Sequence, residues 1–206
     1  MGMNYNMQLI LGGILNITQR VGVITSLYTM DKFGRKPLLL FGSITMCICH
    51  IIIAVLVGLY FGSWDGQEDK AAVAVVFLFL CMLFFGSSWG PVPWAMPSEI
   101  FPSSIRGKGV AWSTCSDWLN NFIIGLITPP MIQNTRGFGA YTFFAVFCGL
   151  SAFWTFFFVP ETKGRSLEDM DRVFGDHAAE ADVIRRAEIM RELKTSAAPV
   201  REGKTV

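Results

Sequence analysis

Asp117 sits inside an apolar run, where an ionisable side chain is costly and therefore informative. Thr114, Asp117, Asn121 and Thr128 fall at steps of three, four and seven, which puts them on one face of a helix, with Trp118 and Asn120 on its flanks. Asp117 lies about eight residues, or roughly 12 Å, beyond the start of that run, well inside a hydrocarbon layer. An earlier apolar run carries Asn16, Gln19 and Arg20 on one face, with Arg20 near its midpoint. A guanidinium at that depth costs at least about 2.5 kcal/mol on insertion scales, so Arg20 needs a partner. Arg20 and Asp117 are therefore expected to share one cavity and partly neutralise each other. Trp89, Trp94 and Trp118 lie near these polar faces. An indole beside amide and carboxylate groups suits a sugar ring, which offers an apolar face for packing and hydroxyls for hydrogen bonds. The competing readings are polar glue between helices for the stripe and an interfacial belt for the tryptophans. Trp64 fits the belt, Trp118 is too deep for it, and Trp94 fits either.

None of this is bond-making chemistry. No nucleophile–base–acid set stands out, and His50 and His177 are isolated, so an enzyme is not expected and no cofactor is called for. Cys47-Ile48-Cys49-His50 has metal-binding residue types, but it lies in an apolar helix without a second ligand pair, and no metal is expected. The five cysteines all lie in apolar runs and read as buried free thiols.

The elements that would position these groups are membrane helices. Hydrophobic residues make up 52% of the chain and charged residues 16%, well below the roughly 25% of a soluble domain. A net charge of +1 carries no nucleic-acid footprint. The amino terminus lacks the basic start of a signal peptide. Five segments reach the roughly 20 residues that cross a bilayer: about Met7 to Met30, Pro37 to Phe61, Ala71 to Trp94 with a broken end at Pro97, Gly109 to Met131, and Ala140 to Val159. The third is broken by Gly90-Pro91-Val92-Pro93-Trp94, since two prolines two residues apart interrupt a helix. In a membrane such a break is tolerated where protein or a wet cavity takes up the freed carbonyls. The connecting loops alternate, with Asp31 to Lys36 basic, Gly62 to Lys70 acidic, Arg106 to Lys108 basic and Lys163 to Arg165 basic. The positive-inside rule then puts the amino terminus outside and the carboxyl tail in the cytoplasm. The expected division is a transmembrane bundle over 1–165 and a cytoplasmic tail over 166–206. That tail should be helical from Ser166, helical again from about Ala179 to Leu193, and then disordered.

Four stretches carry a family resemblance. Asp31-Lys32-Phe33-Gly34-Arg35-Lys36 resembles the D-x-x-G-R-[RK] loop of the sugar porters in the major facilitator superfamily. Gly90-Pro91-Val92-Pro93-Trp94 resembles their tenth helix, and Pro97 to Gly107 the turn after it. Pro160-Glu161-Thr162-Lys163-Gly164 is similar to their PETKG signature after the twelfth helix. Each motif alone is weak. Together, in order and on the cytoplasmic side, they are specific, and the overall texture is similar to fungal monosaccharide transporters.

The resemblance covers about residues 1 to 175 and implies an all-α integral membrane fold, with the five segments standing for helices eight to twelve of a twelve-helix transporter. It implies sugar contacts at Gln19, Trp94, Asp117 and Asn121, and the depth of Trp118 beside the polar face adds it to the candidate contacts. It also implies a cytoplasmic latch of inter-helix salt bridges among Asp31, Arg35, Glu99, Arg106, Glu161 and Arg165. Position 19 is usually Asn in the family, position 117 an amide and position 20 uncharged, so Gln19, Asp117 and Arg20 are departures. The implied partners are a small-molecule sugar, the lipid bilayer, and the amino-terminal half or a full-length transporter, with a proton as a further candidate in symport. The implied function is monosaccharide transport by alternating access, at the plasma membrane, as part of a longer transporter. The alternative is a non-transporting or regulatory subunit that associates with one.

Overall fold

The computed structural model describes residues 5–61, 66–101, 105–161, 163, 184–185 and 188–193. Six helices account for most of them: α1 (Tyr5–Phe33), α2 (Arg35–Tyr60), α3 (Glu68–Ser87), α4 (Val92–Ile100), α5 (Arg106–Asn134) and α6 (Phe138–Phe158). Every segment expected from the sequence is helical, and most run two or three residues further than expected at an end. Residues 184–185 and 188–193 are helical and exposed, while the helix expected from Ser166 lies outside the described residues.

Among the described residues, four helical stretches are both long and apolar enough to cross a membrane: Asn6–Phe33, Arg35–Tyr60, Asp69–Ile100 and Phe138–Phe158. The third runs through α3 and α4 together. α5 has the length, at 29 residues, but not the apolar composition. Asp117, Asn120, Asn121 and the serines and threonines around them lower its hydropathy, which is the same fact that singled it out as a polar face.

α2 is the hub. It packs most extensively on α6 and α3 and also meets α1 and α4, while α1 lies along α3. Its buried residues, Leu38, Leu39, Gly42, Ser43, Met46, Cys49, Ile53 and Val57, recur at steps of one, three and four, the signature of one buried helical face. Two apolar clusters form on that face. Leu38 and Leu39 pack with Val92 of α4, and Met46 and Cys49 pack with Cys81 of α3. α1 and α3 approach so closely at a glycine pair that a Cβ on Gly86 would stand 2.3 Å from the Gln19 carbonyl oxygen, and one on Gly22 2.5 Å from that of Leu83. Membrane helices gain contact area through such small-residue crossings, because lipid supplies no hydrophobic drive between them. α5 is different: it buries no residue and leans on α4 and α6 alone among its main neighbours.

The break between α3 and α4 falls at residues 88–91. Pro91 and Pro93 have no N–H to give the carbonyls of Ser87 and Trp89. The chain compensates with the Gly90 amide, which reaches back five residues to Phe85 O at 2.8 Å, and then restarts as α4 with Pro93 in its first turn, where the missing donor does no harm.

Candidate functional site

α4 and α5 face each other across a cleft of about 330 Å³, at the small end of ligand-pocket volumes. α4 contributes Pro93, Trp94 and Pro97. α5 contributes Val110, Ser113, Thr114, Ser116, Asp117 and Asn120. Trp94 is 56% exposed, so its indole stands as an open platform above the polar side chains of α5. Trp94 lies in the first turn of α4, directly after the break.

The hydrogen bonds within α5 decide what this wall offers. The Thr114 hydroxyl donates to Val110 O at 2.9 Å. One N–H of Asn120 goes to Ser116 O at 2.8 Å. Asn121 Nδ2 donates to the Asp117 carbonyl at 3.0 Å and to its Oδ2 at 3.3 Å. Several donors are thus spent on the helix itself, and the wall keeps the Asp117 carboxylate as an acceptor beside the Ser113 and Ser116 hydroxyls, which can donate or accept.

Of the sequence-predicted contacts, the structure brings Trp94 and Asp117 together. Asn121 touches Asp117 but does not line the cleft, and Trp118 stands beside it, 64% exposed and outside the lining. Gln19 is on α1, half-buried against the Gly86 crossing, and is not in the cleft. Arg20 and Asp117 are not paired. No ion pair joins them among the described residues, and Arg20 is exposed on α1, which packs on α3 and α2 rather than on α5. Sequence reasoning missed Ser113 and Ser116 and left Asn120 on a flank. The lining is rotated about one residue from the predicted stripe: 113, 117 and 120 recur at helical spacing as well as 114, 117 and 121 do, so periodicity cannot choose between them.

Trp89 corrects another expectation, for it does not face the cleft. Its Nε1 donates to Ser43 Oγ at 2.8 Å and lies 3.2 Å from Leu39 O, and its ring packs against both apolar clusters. Ser151 of α6 donates to the same Ser43 oxygen at 3.2 Å. Ser43, fully buried, thereby ties the start of the break to α2 and α6.

Of the charged residues expected to form a latch, three meet where α1 joins α2. Arg35 Nη2 bonds Glu99 Oε1 at 2.8 Å, and its Nη1 lies 3.7 Å from Asp31 Oδ1. The Arg35 Nε is buried without a hydrogen-bond partner among the described residues. Among the described residues Glu161 takes no guanidinium. Its Oε1 accepts the Arg35 N–H at 3.0 Å and its Oε2 the Lys36 N–H at 3.1 Å. α2 begins at Gly34, which has no side chain to cap it, so a carboxylate 126 residues away serves as its cap at the positive end of the helix dipole. Arg106 Nε donates to Phe101 O at 3.3 Å, and Arg165 lies outside the described residues.

The two acidic partners of Arg35 are unequal. Glu99 is a short contact with a side chain 25% exposed, whereas Asp31 is long and 77% exposed. Glu99→Ala is expected to cost about 2 kcal/mol and Asp31→Ala about 0.5 kcal/mol or less, measured by thermal unfolding of the detergent-solubilised chain. Equal losses would contradict this division.

A family model described as "Sugar (and other) transporter" matches residues 1–174. The chain is 37% identical over 173 residues to the sugar transporter STL1 of Saccharomyces cerevisiae, covering 84% of this chain and 29% of that protein. It is 39% identical over 164 residues to a glucose transport protein of Synechocystis, covering 75% of this chain and 34% of that one. Its fold superposes on an inward-open structure of the xylose transporter XylE from E. coli with a TM-score of 0.70 at 32% identity, covering 81% of this chain and 36% of XylE. The chain therefore spans about a third of the length of these relatives. With the motifs, the fold and the matched span in agreement, the chain belongs to the sugar transporter family of the major facilitator superfamily.

Proposed function

We propose that this chain supplies one wall of an alternating-access monosaccharide carrier, with its five membrane segments standing for helices eight to twelve. The observation that carries the proposal is the cleft in which Trp94 faces Asp117 and Asn120, an aromatic platform opposite hydrogen-bonding groups. Trp118, Asn121 and Gln19 complete the sugar contacts once an opposing wall closes over the exposed faces of α1 and α5. The amino terminus lies outside and the latch and tail lie in the cytoplasm of the plasma membrane, as the loop charges support. The latch is the bistable element. Arg35–Glu99 and the Glu161 cap hold α2, α4 and the end of α6 together in one state and become hydrated in the other. A solved relative is described as a proton:xylose symporter, which supports a proton as the coupled ion.

Transporters of this class bind between two repeats and rock one against the other, and this chain matches only about a third of its relatives. Vesicles holding this chain alone are expected to show no saturable uptake of labelled hexose. Vesicles in which an amino-terminal portion of a relative is supplied with it are expected to show uptake. Absence of uptake in both, together with co-purification with a full-length transporter, would replace this reading with that of a non-transporting subunit.

A further inference from the structure

We propose that the cleft selects for hydrogen-bond donors, so that it prefers an amino sugar to the neutral hexose and rejects the corresponding sugar acid. The inference rests on the sugar-binding reading above and names its substrate class. Asp117 is the one charged side chain lining the cleft, and no lysine, arginine or histidine lines it among the described residues. The charged groups on the packed neighbours are engaged elsewhere: Glu99 of α4 binds Arg35, and Arg106 at the start of α5 bonds Phe101 O. Two donors of the α5 wall are spent on the helix itself, the Thr114 hydroxyl on Val110 O and one Asn120 N–H on Ser116 O. The charge that a ligand meets in the cleft is that of the Asp117 carboxylate, which accepts only.

Three hexose forms test such a wall differently. An ammonium presents three N–H donors and a positive charge. A neutral hydroxyl donates once and accepts. A carboxylate offers acceptors to acceptors and sets charge against charge. Charge-assisted bonds are about twice as strong as neutral ones, and specificity arises as much from the repelled ligand as from the favoured one.

The experiment is equilibrium binding, by ligand-detected magnetic resonance, of D-glucose, D-glucosamine and D-glucuronate to the full 206-residue chain in lipid nanodiscs. At about pH 6 the amine of glucosamine is largely protonated. Glucosamine is expected to bind about fivefold more tightly than glucose, the step from a neutral to a charge-assisted bond, with glucuronate weakest. Asp117→Asn should erase the order, and Asp117→Glu should restore it. Equal binding of the three sugars, or an unchanged order in Asp117→Asn, overturns this inference and leaves the sugar-binding reading standing. No binding of any of the three overturns both.

Discussion

Gly34→Ala is expected to lower the unfolding free energy of the chain by about 3 kcal/mol, one of the largest effects of any conservative change. Two causes add. Gly34 has φ +97° and ψ 170°, a region that only glycine enters readily, and it is the single residue between α1 and α2. A Cβ there would also stand 2.7 Å from Glu161 Oε2 and 2.9 Å from Oε1. The carboxylate would have to withdraw from the Arg35 and Lys36 amides, and α2 would lose its cap. A double-mutant cycle separates the causes. In a Glu161→Ala background the steric part vanishes, so Gly34→Ala should cost only the backbone strain, about 1–2 kcal/mol less than in the parent. Thermal unfolding in detergent measures both. Strict additivity would show that Glu161 does not occupy the N-terminus of α2.

The second large effect is at Trp89. Trp89→Ala is expected to cost about 3–5 kcal/mol, because it empties the junction of the two apolar clusters and removes one of the two donors to the buried Ser43 hydroxyl. Trp89→Phe keeps most of the packing and loses the N–H, so it should cost about 1–2 kcal/mol. The damage should be local as well as global. With the anchor gone, the break at 88–91 is held by few other bonds, and amide exchange at Gly90, Val92 and Trp94 should accelerate before that of α2 does. Hydrogen exchange of the Trp89→Phe variant checks this. Uniform acceleration across α2, α3 and α4 would mean that Trp89 is ordinary core rather than the fixed side of a joint.

These two positions show what the sequence could and could not disclose. The helices were legible because long apolar runs have few other fates, and the break was legible because proline removes a donor wherever it stands. The polar face of α5 was legible as a face, but its rotation was not, since 113, 117 and 120 repeat as regularly as 114, 117 and 121. Trp89 and Trp94 are five residues apart and alike in sequence. Only the Gly42–Ser43 region of α2 makes one a buried donor, while nothing covers the other. Glu161 was legible as a latch residue, but its partner was not. A carboxylate near a basic loop suggests a guanidinium, and the exposed amides of α2 appear only once Gly34 has turned the chain. The pairing of Arg20 with Asp117 followed from the cost of burying charge, and it fails because α1 is committed to α3 through the Gly22 and Gly86 crossing. Charge cost says that Arg20 must be solvated or matched, but not by which group.

The central claim is that the space between Trp94 and Asp117 is wet and takes a sugar. The direct test is the rate at which a charged, membrane-impermeant maleimide alkylates Ser113→Cys in nanodiscs, with the exposed Cys115 replaced by Ser. Labelling should be rapid, and hexose should slow it in a saturable way, with the protection lost in Trp94→Ala. Labelling at the same rate with and without hexose, or no labelling at all, would contradict it.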